Sequence, residues 1–419
     1  MSCDHGIWND TRFLIEGGES RSRSLARVSE ARLKVAVLLG TRPEAIKLAP
    51  IVRELDRRAS RIATRVCSSG QHREMVQQVV DAVGLRIDVQ LDVMTAGATL
   101  GSLTSRLFEN LDRLLAAETP DWVVVQGDTT TAMVGAMSAF YRRVCVAHVE
   151  AGLRTYDRWS PFPEEINRSI IGSVADLHFA PTLRAVENLR RAGVEDRAIV
   201  LSGNPVVDSL LWTLRGLGSE IPLELRAEVA DFVVGKRLVL ATSHRRESLG
   251  KGLESICQAL LDVVEAQSDA VVVFPVHLNP EVWGPVHRLL GDHPRVKLVP
   301  PVGYGALVWL MKNCFCIVTD SGGLQEEAPT LGKPVMIVRD ATERPEVVEA
   351  GCGRLVGTDR SSIFAGVSEL FDSPSCYRSM SEVLNPFGDG HAAERIADAL
   401  EASQPGGKAQ SHNSPQARF

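Results

Sequence analysis

From Lys34 onward, short apolar runs alternate with stretches that are apolar on one helical face only. Lys34–Leu39 is an apolar, β-rich run. Ala45–Arg57 behind it carries Ile46, Leu48, Ala49, Val52 and Leu55 at helical spacing. Similar strand and helix pairs follow: Thr64–Ser68 with Glu74–Val83, Trp122–Gln126 with Thr130–Tyr141, and Val144–Val149 with Ile166–Ala175. Leu177–Ala180 with Ala185–Arg191 and the strand Ala198–Ser202 close this series. Gly203-Asn204-Pro205 is a turn signal and the candidate hinge. A second series holds Arg237–Ala241, Leu253–Val264, Ala270–Pro275, Val296–Val299, Cys314–Thr319 and Pro334–Val338. Such alternation predicts parallel sheets covered on both faces. The chain therefore reads as α/β, with two Rossmann-like domains and a central cleft between their carboxyl edges. Asn385–Gly390 breaks the chain before a last amphipathic helix, Ala392–Leu400.

Composition narrows the picture. A length of 419 residues favours two domains over one. The net charge of −6, with no dense basic stripe, argues against a nucleic-acid partner. No apolar run reaches the roughly 18 residues of a membrane span. The eight cysteines are scattered, mostly in apolar stretches, which suits buried thiols of a reducing cytoplasm. Residues 1–32 and 403–419 fit no packed element and read as disordered tails. Asp4, Asp10 and Glu16 interrupt the apolar core that a signal peptide would need.

The chemistry gathers where strands end. Asp128 follows the apolar run Trp122–Val125, Glu150 follows Val144–Val149, and Glu164 and Arg168 open the next helix. In a parallel sheet of neighbouring strands these carboxylates share one crevice with His148 and Arg168. Crowded carboxylates raise one another's pKa, as a general acid or base near neutral pH requires. Gly40-Thr-Arg-Pro-Glu-Ala-Ile-Lys47 links the first strand to the first helix, and its N–H groups beside Arg42 form a possible anion cradle, or an ordinary turn. Ser321, Gly322 and Gly323 open another helix, where close-set N–H groups suit a diphosphate, and Glu327 one turn on suits ribose hydroxyls. His244, with Arg245 and Arg246, stands at a strand's carboxyl end, where it can hold or protonate a leaving phosphate; His277 has no charged companions. No G-x-G-x-x-G follows a strand, and no metal-ligand spacing occurs, so neither a bound nicotinamide nor a metal is expected.

Taken in order, the runs G-T-R-P-E-A-I-K (40–47), Q-H-R-E-M (71–75), G-D-T-T-T (127–131), H-V-E-A-G-L-R (148–154), P-E-E-I-N-R (163–168), H-R-R-E-S (244–248), P-V-H-L-N-P (275–280), T-D-S-G-G-L-Q-E-E-A-P (319–329), R-D-A-T-E-R-P-E (339–346) and N-P-F-G-D-G (385–390) resemble the non-hydrolysing UDP-N-acetylglucosamine 2-epimerases of bacteria. The resemblance spans about residues 34–402. It implies a GT-B-like fold with the last helix crossing back, giving a first domain of 33–204 completed by 387–402 and a second of 205–386. It implies elimination of UDP across carbons 1 and 2 to a 2-acetamidoglucal, then re-addition with the opposite configuration at carbon 2, without a cofactor. Residue by residue, the functional carboxylates match Asp128, Glu150 and Glu164, and the histidine matches His244. The cationic contacts match Arg42, Lys47 and Arg168, and the diphosphate and ribose contacts match Ser321, Gly322, Gly323 and Glu327. Bacterial members are activated by their own substrate at a second site, resembled here by Gln71, Arg73, Glu74 and Arg106; a homodimer is the expected assembly.

Three departures stand out: Gln126 where a His often precedes G-D-T-T-T, Ala147 where Gly is frequent, and Ser243 where Gly or Ala is frequent. Rival readings are a hydrolysing epimerase that releases N-acetylmannosamine, disfavoured by Thr129 after Gly-Asp, and a 2-epimerase for a related UDP-diacetamido sugar. A GT-B glycosyltransferase would not need the clustered acids, and a sugar-nucleotide sensor would be signalled by loss of one.

Overall fold

The structure is a computed structural model, and it describes residues 32–71, 79–80, 84–95, 97–218, 220–245 and 248–403. Two wholly parallel sheets form its frame. The first contains β1 (Leu33–Leu39), β2 (Ile62–Ser68), β3 (Val89–Gln90), β4 (Trp122–Gln126), β5 (Cys145–Val149), β6 (Leu177–Ala180) and β7 (Ile199–Leu201), in the order β3-β2-β1-β4-β5-β6-β7. The second contains β8 (Arg237–Thr242), β9 (Ala270–Pro275), β10 (Val296–Val299), β11 (Cys316–Thr319), β12 (Val335–Ile337) and β13 (Gly353–Leu355), in the order β10-β9-β8-β11-β12-β13. Each order reverses beside its first strand, as in the Rossmann pattern, and opens a crevice at the carboxyl ends there. Two such sheets make a GT-B-like fold.

Alternation along β1 shows how the layers are built. Val35, Val37 and Leu39 share one apolar cluster with Leu48, Ile51 and Leu55 of the helix Arg42–Arg57. Ala36 and Leu38 point the other way, toward Leu107, Leu111 and Leu115 of the helix Leu100–Glu118. Cys67, Cys257, Cys314, Cys316 and Cys352 are buried free thiols whose pKa values burial raises, which makes them packing groups.

Several elements differ from the sequence pattern. The first helix starts at Arg42, not Ala45, because Pro43 occupies its first turn. Gly203-Asn204-Pro205 is a helix start as well as a turn: Asn204 Oδ1 accepts from Val206 N at 3.1 Å, and Pro205 opens the helix Pro205–Gly216. The helix Leu100–Glu118, capped by Thr99, was not foreseen. The expected helix Glu74–Val83 lies largely outside the described residues.

The two crossings between the sheets touch. Asn204 N donates to Phe387 O at 2.7 Å, and a Cβ on Gly203 would stand 3.3 Å from Gly388 Cα. Both glycines have positive φ, 83° and 137°, so the close approach and the backbone shape each favour glycine. Beyond this point the helix Ala392–Ala402 returns to the first sheet and buries Ile396, Ala397 and Leu400. Asp208 caps it, accepting from Ala392 N at 3.3 Å and Ala393 N at 2.9 Å. Arg58 reaches Asp398 and Glu401 at 2.7 Å each. Burial of Ile396 and Leu400 contributes about 1.5–3 kcal/mol apiece.

Candidate active site

Parallel strands place every loop that follows them at one edge. Gly127 and Glu150, at the ends of adjacent strands β4 and β5, both turn through positive φ, 67° and 63°, and Gly127 N donates to Val149 O at 2.9 Å. A glutamate in that conformation is strained. The turn aims its carboxylate at the crevice floor, where Lys47 Nζ donates to Oε1 at 2.6 Å and Asn204 Nδ2 at 3.3 Å. Gln126 Nε2 donates to the other oxygen. Glu150 is thus enclosed, its side chain 4% exposed.

The same floor joins the two sheets. Glu326 pairs with Lys47 at 3.2 Å and with Arg344 Nε, and Arg344 Nη2 lies 3.7 Å from Glu150. Two cations and two carboxylates alternate, so each charge is balanced although all are buried. Burial raises the Glu150 carboxyl, with Glu326 adding to the push and Lys47 and Arg344 opposing it. For Glu326, burial acts in the same direction, but Arg344 and Lys47 overcome it and hold it below the usual carboxylate range. Burial alone would lower Lys47; Glu150 and Glu326 keep its ammonium above the ordinary lysine value.

Asp128 has more access, its side chain 25% exposed. Arg168 Nη2 donates to its Oδ2 at 2.6 Å, and Asn167 Nδ2 donates to its carbonyl at 2.9 Å. Glu164, first residue of the same helix, is half-buried. Its pKa is raised by burial and then by the charge of Asp128, while Arg168 works against the rise. Glu165 beside it serves the frame, accepting from Arg154 Nε at 2.8 Å and Thr155 N at 3.0 Å.

In the second sheet, His244 lies at the end of β8 with Nδ1 3.3 Å from Asp320 Oδ1, and it is well exposed. Asp320 Oδ2 accepts from Ser243 Oγ, His244 N and Arg245 N at 2.9 Å each. Against the upward pull of burial, the His244 side chain first, and then the N–H groups of Arg245 and His244, keep the Asp320 carboxyl below its usual range. A Cβ on Gly322 would meet Arg245 Nη2 at 3.8 Å and Arg344 at 3.9 Å, so two guanidinium groups flank the Ser321–Gly323 turn. Glu327 accepts from Tyr304 OH at 2.5 Å, and burial pushes its pKa up to about 7. Arg42 Nη2 donates to Val302 O at 3.4 Å, and burial lowers its pKa while Glu327 and Glu224 oppose the fall.

Some sequence expectations need correction. The N–H groups of Gly40 and Thr41 do not form an empty cradle: both donate to Glu44 Oε2, at 3.0 and 2.7 Å. Glu44 Oε1 accepts from Thr129 Oγ1 at 2.7 Å, so this carboxylate ties the first loop to the Asp128 loop. His148 does not stand in the crevice; it is 1% exposed, with Nε2 bonded to Gly127 O at 2.8 Å. The helix Gly322–Glu327 has six residues, so the arginines rather than a long dipole supply its positive field. Of the second-site candidates, Gln71 accepts from Thr131 Oγ1 at 3.0 Å, and Arg106 Nε donates to Val93 O at 2.7 Å. Arg73 and Glu74 lie outside the described residues. The sequence reading left out Glu326, Arg344, Tyr304 and Asp320 as site residues, although Glu326, Arg344 and Asp320 sit inside runs it had singled out.

Among the described residues, no group of three or more His, Cys, Asp or Glu has the arrangement of a metal site, and no helix is long and apolar enough to cross a membrane. A cavity of about 440 Å³ lies at the opposite, amino end of β1 and β2, near Arg32, Lys34 and Arg65; it holds none of the candidate residues.

The fold and this floor of opposed acids and arginines define a GT-B-like α/β enzyme. The family model for UDP-N-acetylglucosamine 2-epimerase matches residues 53–401. An Escherichia coli (strain K12) UDP-N-acetylglucosamine 2-epimerase is 47% identical over 371 residues, 88% of this chain and 98% of that protein. A crystal structure of the Neisseria meningitidis UDP-GlcNAc 2-epimerase bound to UDP-GlcNAc has a TM-score of 0.84 at 38% identity, covering 88% of this chain and 100% of that one. An S. aureus MnaA–UDP co-structure has a TM-score of 0.81 at 39% identity, covering 88% and 96%. This chain belongs to the UDP-N-acetylglucosamine 2-epimerase family and is an epimerase.

Proposed function

We propose that the enzyme reversibly inverts carbon 2 of UDP-N-acetylglucosamine by eliminating UDP and adding it back, giving UDP-N-acetylmannosamine. The observation that carries the reading is the floor where loops of the two sheets meet: Arg344, which flanks Gly322, lies 3.7 Å from Glu150, the carboxylate beside the Asp128 loop. One side suits a base and an acid at the sugar, the other an anionic leaving group. In the forward step a carboxylate takes the carbon-2 proton while the bond from carbon 1 to the diphosphate oxygen breaks. UDP and 2-acetamidoglucal remain. In the return step UDP oxygen bonds to carbon 1 as a carboxyl delivers a proton to the opposite face of carbon 2. Arg42, Arg168, Arg245 and Arg344 are the cations available to balance the departing charge, His244 is placed to protonate or hold it, and Glu327 meets the ribose. Lys47 and Glu150 set the floor against which the sugar rests.

The rest of the reading follows the same order. Residues 33–204 with 387–402, and 205–386, act as two domains that close on the nucleotide sugar. A second UDP-N-acetylglucosamine binds at Gln71, Arg73, Glu74 and Arg106 as effector. The support at Arg106 is its buried Nη2, which has no hydrogen-bond partner.

Incubation with UDP-N-acetylglucosamine in deuterium oxide, followed by proton NMR, tests the chemistry. The expected product carries deuterium at carbon 2 only, needs no nicotinamide, and keeps UDP mostly sugar-bound. Stoichiometric free UDP would replace this reading with hydrolysis.

A further inference from the structure

Behind the Asp128–Arg168 pair lies a cavity of about 180 Å³, lined by His148, Arg154, Arg168, Ser169, Ser173 and Asn188 among others. Most of these polar groups have partners. Asn188 accepts from Tyr156 OH at 2.9 Å and donates to Gly152 O at 3.0 Å; Ser169 donates to Glu165 O at 2.8 Å and Ser173 to Ser169 O at 3.0 Å. Arg154 is paired with Glu165. Two residues that line the cavity keep buried atoms with no hydrogen-bond partner: His148 at Nδ1, and Arg168 at Nε and Nη1. Arg168 Nη1 has Glu165 Oε2 at 3.4 Å as an ionic neighbour, which leaves Nε as the orphan donor.

The two orphans are complementary. His148 Nε2 lies 2.8 Å from Gly127 O, a pure acceptor, so the ring proton sits on Nε2 and Nδ1 offers a lone pair. Burial, with His178 adding to it, holds the imidazole neutral by lowering its pKa to about 3. One buried acceptor and one buried donor, each costly to leave unmade, call for a bridging group that both donates and accepts. The charges around the cavity cancel, Arg154 and Arg168 against Glu165 and Asp128, so a neutral occupant fits better than an anion. Water satisfies every term, and the volume admits several.

We propose that this cavity is a hydration site in which a bound water accepts from Arg168 Nε–H and donates to His148 Nδ1, making His148 a positioning residue for Asp128. His148 then steadies Asp128 twice: through Gly127 O, one residue upstream, and through the water that fixes the Arg168 guanidinium. The inference rests on the reading in which Asp128 acts on the sugar.

Two variants separate the links. His148→Gln keeps a donor for Gly127 O and removes the acceptor at the Nδ1 position. His148→Asn keeps a polar atom at that position and loses the bond to Gly127. A small displacement of a reacting group is felt in turnover more than in binding. The expected result is a kcat roughly tenfold lower in His148→Gln, where only the water link is lost, with KM within about twofold of wild type; His148→Asn, which loses the Gly127 bond, also loses turnover. A His148→Gln enzyme with wild-type kcat, or one whose KM rises as much as its kcat falls, overturns the proposal. If either variant fails to fold, a high-resolution crystal structure of the wild-type enzyme with UDP decides. A water within hydrogen-bond distance of His148 Nδ1 and Arg168 Nε supports the site, and a dry cavity overturns it. Asp128→Asn is assayed alongside. If it retains wild-type kcat, the reading of the active site fails, and the crystal structure alone judges the hydration site.

Discussion

Arg168 Nη2 stands 2.6 Å from Asp128 Oδ2, so one guanidinium both balances that carboxylate and fixes its direction. The pair leaves Asp128 open to a ligand on its remaining side. Asp128→Asn should therefore keep the fold and UDP affinity while kcat falls by at least about 100-fold, the usual scale for a lost acid or base. Steady-state kinetics with calorimetry of UDP binding checks both halves, and near-wild-type turnover would remove Asp128 from the chemistry.

Lys47 touches both carboxylates of the floor, Glu150 at 2.6 Å and Glu326 at 3.2 Å. Lys47→Met leaves two buried acids with Arg344 as their remaining cation. Breaking such a pair costs about 3–5 kcal/mol. Urea denaturation should show a loss of that order, and a change under about 1 kcal/mol would mean that the floor is more hydrated than its burial implies.

Glu327 supplies a pH dependence. Its carboxyl, raised by burial to about 7, binds its proton more tightly in the folded chain than in the unfolded one. The stability this contributes is complete below the unfolded value near 4.5 and is lost as pH rises toward and through 7. The whole effect is at most about 3 kcal/mol. Glu327→Gln, neutral throughout, should flatten this part of the curve, so the variant gains on wild type between pH 5 and 8. Parallel curves for the two proteins would show that Glu327 is already ionised at pH 5.

Gly322→Val tests the diphosphate site. A Cβ there meets only arginine side chains, at 3.8 and 3.9 Å, so the fold should survive. UDP affinity should fall at least tenfold, because the branched side chain fills the space before Arg245 and Arg344. Unchanged affinity by calorimetry would place the diphosphate elsewhere.

Substrate activation gives a kinetic signature. Starting from UDP-N-acetylmannosamine, the reverse reaction should lag until trace UDP-N-acetylglucosamine is present, a coupling of roughly 1–3 kcal/mol. Arg106→Ala should weaken that priming. A hyperbolic reverse reaction with no lag in wild type would dismiss the second site.

The sheets were legible because parallel strands buried on both faces leave long apolar, Val-rich runs; Trp122–Gln126 and Ala270–Pro275 match residue for residue. Asp128 and Glu150 were legible as candidates for a related reason: residues just after such runs end at the same sheet edge, and Glu164 opens the helix that follows. What escaped was orientation. His148 and Val149 are adjacent in β5, yet His148 faces the buried layer and bonds Gly127, which no composition signal reveals. Glu44 was missed although its signal is in the sequence: Thr41-Arg-Pro-Glu44 has the capping-box spacing that turns a glutamate back onto the N–H groups before the helix. Glu326 and Arg344 gained meaning only when the second sheet met the first. The helices Pro205–Gly216 and Pro280–Leu290 lie outside the elements the apolar spacing predicts; each opens on a proline behind an asparagine cap.

The returning helix Ala392–Ala402 has a consequence for synthesis. It lies against the helix Arg42–Arg57, near the start of the described chain, and Arg58 and Arg61 pair with Glu401. During translation, the first sheet leaves the ribosome long before the residues that cover it. Its strands can pair, but the apolar side facing Ile396 and Leu400 stays bare until residues 392–402 emerge. A chain cut off after residue 390 therefore keeps the strands of both sheets but lacks the side chains that cover this face of the first. The helix Ala392–Ala402 thus closes a layer that the helix Arg42–Arg57 opened far earlier in synthesis.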